Sequence, residues 1–136
     1  MAKGYWLVKQ EPTAYSWDQF VRDKGTSWEG VRNYQARNNL KAMKTGDRVL
    51  YYHSVEGQAV VGIAEVAREA YQDATTKDDR WVAVDLVPVA PLAKPVTLEA
   101  IKGVPALKDI PLLRQGRLSV MSLAKDAFDT IVKMGR

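Results

Sequence analysis

The sequence contains no cysteine and a single histidine, His53. Without cysteine there are no disulfides, no thiolate metal sites and no cysteine nucleophile. One histidine excludes multi-histidine zinc or iron sites within a chain. Phenylalanine occurs only twice, and none of the nine glycines belongs to a GKS/T phosphate loop. No apolar run approaches the ~20 residues of a membrane-spanning helix. The start, Met-Ala-Lys-Gly-Tyr-Trp, has no long apolar core of the signal-peptide kind. These absences predict a protein without metal or cofactor, away from membranes, in the cytoplasm or, in a eukaryote, the nucleus.

What is present suits a single domain. The 136 residues are 46% hydrophobic and 26% charged, a balance typical of globular domains. The net charge of +4 is unevenly placed. Residues 1–54 carry nine Lys/Arg against five Asp/Glu, whereas residues 55–136 carry eleven of each. The same 54 residues hold nine of the twelve aromatics, including Trp6, Trp17 and Trp28. Basic groups attract phosphate and aromatic faces accept stacked bases. A solvated basic face beside a small aromatic core gives the same composition.

Along the chain, Gly4–Lys9 is predicted as a strand that Glu11-Pro12 ends. Ser16 and Gln19 have capping-box spacing, which places a short helix at Trp17–Asp23. Gly25–Gly30 is predicted as a loop presenting Trp28. A second helix is predicted over Tyr34–Met43, with Leu40 and Met43 inward. Strands follow at Arg48–His53 and at Ala59–Glu69, where Gly62 signals a bulge or bend. Another is predicted at Arg80–Val89, ended by Pro88, Pro91 and Pro95. Gly116–Met121 is predicted as extended, and Ser122 as the cap of a final helix, Leu123–Lys133. There is no internal repeat and no low-complexity tract. Long central strands with short helices at their margins indicate an α+β sheet or barrel.

Several enzyme templates fail. His53-Ser54 lies at a strand end without a GxSxG elbow, so binding or structure suits it better than catalysis. Lys9 and Glu11 share one face of a strand and can form either an ion pair or a proton-transfer pair. The most unusual stretch is WEGVRNYQARNNL at 28–40, with three Asn, two Arg, a Gln, a Trp and a Tyr in thirteen positions. Asn matches the donor–acceptor edge of a base, Arg grips phosphate or guanine, and Trp offers a stacking plane. Helix and loop capping would also account for the Asn residues.

These segments resemble the EVE domain of the PUA-like superfamily, which includes the thymocyte nuclear protein family and is related to YTH domains. The matching pieces are YWLVKQEPTAYSW at 5–17, WEGVRNYQARNNL at 28–40, GDRVLYYHS at 46–54, VVGIAEV at 60–66, WVAVDLVPV at 81–89 and QGRLSVM at 115–121. Met121-Ser122 departs from the Pro-containing segment expected there. The resemblance implies a closed PUA-like pseudobarrel of about five to six mixed strands with short helices around it. It further implies a non-catalytic module that captures a flipped base, methylated or hydroxymethylated, of DNA or RNA in an aromatic pocket. Carried over by position, the ligand-binding residues are Lys9, Gln10, Glu11, Trp28, Asn33, Tyr34, His53, Ser54, Leu118 and Ser119. Trp28 is the expected cage wall, and four segments are expected to meet at one mouth of the barrel. Arg32, Arg37, Lys41 and Arg117 are expected along the nucleic-acid backbone. Trp6 and Trp81 are assigned to core or barrel wall, and Trp17 to helix packing. The expected partner is nucleic acid carrying a modified base, bound by a monomer or weak dimer.

Two other functions fit the same residues. The resemblance to ASCH-type PUA-like proteins admits a small metal-free hydrolase of a modified nucleoside, with Lys9 and Glu11 transferring the proton. A protein-binding module would use the aromatic cleft for a peptide. Turnover of nucleosides separates the first, and salt-dependent affinity for nucleic acid argues against the second.

Overall fold

A computed structural model describes residues 4–136. In chain order the elements are β1 (Tyr5–Gln10), α1 (Trp17–Asp23), β2 (Thr26–Trp28), α2 (Tyr34–Ala42), β3 (Arg48–His53), β4 (Ala59–Gln72) and β5 (Val82–Thr97). Then follow α3 (Leu98–Lys102), a 3₁₀ turn (Pro105–Leu107), α4 (Pro111–Arg114), β6 (Val120–Leu123) and α5 (Lys125–Met134). None of the helices among the described residues is long and apolar enough to cross a membrane.

The strands form one mixed sheet in the order β2-β5-β4-β3-β1-β6. Only the β1–β3 pair is parallel, with Leu7 opposite Leu50 and Gln10 opposite His53. That pairing requires a crossover, which α1, β2 and α2 supply. β3 lies inside the sheet, and Val49, Leu50, Tyr51 and Tyr52 are all buried, as in a strand covered on both faces. Six mixed strands with short helices agree with the α+β PUA-like expectation. The closure implied by the resemblance is absent from the hydrogen-bonded order, which ends at the edge strands β2 and β6.

The helix starts follow local chemistry. Ser16 Oγ accepts from Gln19 N at 3.1 Å, and Asn33 Oδ1 accepts from Ala36 N at 2.9 Å, each satisfying an otherwise unpaired helix donor. Gly62 sits among register shifts in β3–β4 and β4–β5, as its place in the strand predicts.

Four local expectations are corrected. Thr26–Trp28 is a strand rather than a loop, because Thr26, Ser27 and Trp28 pair with Leu86, Asp85 and Val84 of β5. β5 continues through Pro88, Pro91 and Pro95 to Thr97. β2 covers only Val84–Leu86, so beyond Leu86 one side of β5 needs no ladder donor, where proline is tolerated. The extended segment before the last helix is Val120–Leu123, so Ser122 lies in β6, and the last helix is capped by Ala124 without a side-chain bond.

Asp47 and Asp73 are the buried carboxylates among the described residues. Asp47 accepts from Gly4 N, Trp6 Nε1 and Lys44 N, which ties the start of β1 to the turn before β3. Asp73 accepts from Gly30 N, Thr75 N and Oγ1, and the Arg32 guanidinium. Burial pushes its pKa up, but these bonds outweigh burial and hold the carboxyl well below the usual range.

Candidate functional site

A cavity of about 500 Å³ opens where β1 and β3 end. The parallel register places Gln10 beside His53. The chain then continues the contact, with Ser54 N donating to the Gln10 carbonyl at 3.0 Å. On the other side Lys9 N donates to the Ser119 carbonyl at 2.9 Å, drawing in the segment before β6. Lys9, Gln10, Glu11, Ser54 and Ser119 of the expected ligand set therefore line one cavity, together with Arg117, which was expected along the nucleic-acid backbone. Lys9 Nζ donates to the Gly116 carbonyl at 2.9 Å, and burial pulls its pKa below that of an ordinary lysine. No ion pair joins Lys9 to Glu11 among the described residues, so the structural pair read from their spacing is replaced by this carbonyl contact. The arrangement offers amide and hydroxyl groups to a polar edge, with two cations nearby for an anion.

Sequence reasoning missed Tyr52, Val55, Gln58, Leu98 and Leu112 on this wall. Tyr52 was within reach: it shares a strand face with Ser54, two residues on. Its burial pushes the phenol pKa up. Leu98 and Leu112 come from helices more than 40 residues later in the chain, and no local pattern links them to β1. Val55 is 66% exposed and has a φ of 70°, a left-handed conformation that β-branched residues rarely adopt. Such outliers are concentrated at functional sites.

The other expected ligand residues lie elsewhere. Trp28 does not line this cavity. It is 5% exposed in the core, edge-on to Tyr51 with ring centroids 5.5 Å apart, because pairing with Val84 turns it under the sheet. Leu118 is also core, at 4% exposure. His53 falls on the opposite strand face from Tyr52 and Ser54, and its Nε2 accepts from Trp17 N at 3.1 Å. Burial lowers its pKa, while the Asp18 carboxylate pulls the other way. Asn33 serves as the cap of α2.

Tyr34 belongs to a second cluster at the far end of β4 and β5. Its ring stacks on Trp81, with centroids 5.2 Å apart and planes at 28°. Trp81 is thus part of a surface stack, against its expected place in the wall. Arg32 lies 5.5 Å from the Trp81 centroid and Arg37 5.1 Å from that of Tyr34. Lys41 is exposed on α2. Three of the four expected segments thus meet at the cavity, and the α2 segment forms its own surface.

The EVE domain family model matches residues 4–134. Mouse thymocyte nuclear protein 1 is 34% identical over 165 aligned positions, which cover 96% of this chain and 73% of that protein. An NMR structure of a Rhodopseudomonas palustris protein is 47% identical, with a TM-score of 0.93 over 97% of this chain and 92% of that one. A crystal structure of the human THYN1 protein in complex with 5-methylcytosine containing DNA is 29% identical, with a TM-score of 0.90 over 98% of each chain. The fold is also shared with a YTH domain of Zygosaccharomyces rouxii, at 14% identity and a TM-score of 0.64 over 98% of this chain and 87% of that one.

Proposed function

This chain belongs to the EVE domain family, and from that we propose that it is a non-catalytic nucleic-acid-binding module whose cavity captures a methylated or hydroxymethylated base. The observation that carries the reading is the cavity at the ends of β1 and β3. Its volume falls within the roughly 300–1,000 Å³ of small-ligand sites. Gln10, Ser54 and Ser119 can read a base edge, and Tyr52 supplies the aromatic side chain on the wall. Lys9 and Arg117 suit the adjoining phosphate. Leu98 and Leu112 give an apolar surface for a methyl group, a contact that contributes about 0.8 kcal/mol per buried carbon. The human THYN1 protein, in complex with 5-methylcytosine containing DNA, makes that base the first ligand to test. The chain would act wherever such nucleic acid occurs, in the cytoplasm or, in a eukaryote, the nucleus.

A hydrolase finds less support. Lys9 is engaged by the Gly116 carbonyl, and Glu11 is exposed without a cationic partner among the described residues. The test is fluorescence polarisation with matched oligonucleotides carrying cytosine, 5-methylcytosine, 5-hydroxymethylcytosine or N6-methyladenine, as DNA and as RNA. One modified probe should bind at least several-fold tighter than its unmodified control. Equal affinity for all would refute base capture.

A further inference from the structure

We propose that the Tyr34–Trp81 stack is a second nucleic-acid site, separate from the cavity, that holds an unpaired base and its phosphate elsewhere on the same strand. The inference rests on the nucleic-acid reading above but not on the capture of a modified base.

The two sites lie at opposite ends of the β4–β5 hairpin. The cavity uses Gln58, just before β4, and Leu98, just after β5. The stack uses Trp81, which precedes β5 at the hairpin's other end. Each strand exceeds a dozen residues, and a residue advances a strand by about 3.3 Å, so one nucleotide cannot occupy both.

The stack is both aromatic and cationic. Tyr34 is 53% exposed although one face of its ring rests on Trp81. The part of the ring left open offers an aromatic face on which a base can stack. The Tyr34 hydroxyl accepts from Arg80 Nη1 at 3.2 Å, which fixes the ring.

The charges around it are not all neutralised. Arg32 pairs with Asp73 and Arg80 with Asp78. Arg37 has no carboxylate partner among the described residues and bonds only neutral groups, the Asn38 side chain and the Arg80 carbonyl. It rests on the Tyr34 ring by a cation–π contact, which is weaker at a surface than a base–aromatic stack. An incoming base can take the ring while Arg37 turns to the phosphate of the same nucleotide. An aromatic platform beside an unneutralised guanidinium is the arrangement that binds single strands with little regard to sequence.

The test compares single-stranded 5-mer and 15-mer DNA, each with one central 5-methylcytosine, and an unmodified 15-mer. The wild type should bind the 15-mers tighter than the 5-mer. Tyr34→Ala should weaken both 15-mers about tenfold, the scale of one base–aromatic stack, and leave the 5-mer within twofold. Tyr34→Phe keeps the ring, loses only the Arg80 bond, and should retain most of the affinity. Melting curves identify any loss of fold, and Arg37→Gln, which removes no packed ring, should then show the same length dependence. Equal weakening of 5-mer and 15-mer, or no change in either, would overturn the second site. A wild type indifferent to methylation refutes base capture alone, because the loss on the unmodified 15-mer would still support the stack. If the wild type binds none of the probes, both fall.

Discussion

Trp17 packs against Gly62 so closely that a Cβ on the glycine would come within 2.5 Å of the indole Cη2 and Cζ2 atoms. The indole is 6% exposed and also meets Phe20 and Tyr51 edge-on, so it cannot swing aside. Gly62 is therefore required by close approach, and its bulge lets α1 settle on the sheet. Gly62→Ala should cost about 1–3 kcal/mol by overpacking. That corresponds to a fall of roughly 3–10 °C in Tm for a domain of this size. Adding Trp17→Phe should make the alanine cheaper than it is alone. Strict additivity of the two substitutions in a thermal melt would disprove the contact.

Trp28 carries a different consequence. Buried beside Tyr51 and anchored through β2, it acts as core. Trp28→Ala should destabilise the fold by about 3–5 kcal/mol. Chemical denaturation measures this directly. A stably folded Trp28→Ala protein with lost ligand affinity would restore the cage assignment.

What the sequence revealed, and what it hid, follows one physical division. α1, α2 and β3 were legible because their causes are local: Ser16 and Asn33 cap, Gly46-Asp47 turns, and RVLYYH is a short β-rich run. β2 was hidden because only pairing with β5 makes three residues a strand. The length of β5 was hidden because its prolines are harmless only where no neighbour needs a donor. The cavity was half legible. Lys9–Glu11, Ser54 and Ser119 follow the strand ends, whereas Leu98 and Leu112 are brought in by long-range packing. Tyr34 and Trp81, 47 positions apart in the chain, meet only because the β4–β5 hairpin returns to α2.

His53 should make the fold sensitive to mild acid. Its Nε2 accepts from Trp17 N at the start of α1, which requires that nitrogen to be unprotonated. Burial lowers its pKa, with Asp18 opposing. Between the lowered folded pKa and the unfolded value of about 6.5, the unfolded chain binds more protons, so stability rises with pH. The contribution of His53 is thus complete above pH ~6.5 and declines as pH falls through that window, levelling below the folded pKa. No other histidine titrates there. Denaturation midpoints at pH 7.5 and 5.5 should differ in the wild type and converge in His53→Gln. An unchanged difference in the variant would assign the effect to another group.

Val55 offers a stabilising substitution at the cavity rim. Its φ of 70° is unfavourable for a β-branched side chain, and its side chain is largely in solvent. Val55→Asn relieves the strain, since Asn tolerates the left-handed region, and should add roughly 1 kcal/mol of stability. If the strained turn shapes the site, ligand affinity should fall as stability rises. A variant that is neither more stable nor altered in binding would mean the turn carries no strain.

Glu11→Gln separates a reader from an enzyme. Glu11 lines the cavity yet is exposed, and Lys9, two residues earlier, is held by the Gly116 carbonyl rather than by Glu11. Removing the charge therefore strands no buried partner, and Tm should stay within a degree or two, the scale of a neutral surface change. A reader needs the shape and hydrogen bonds of this side chain but no proton transfer from it. Gln preserves the shape, so modified-base affinity should remain within about tenfold, or ~1.4 kcal/mol. A hydrolase using Glu11 as its base would lose about 10²–10⁴ in rate with the same change. Because stability is unaffected, any such loss can be read as chemistry. Wild-type turnover of a modified nucleoside, abolished in a fully folded Glu11→Gln protein, would replace base capture with catalysis.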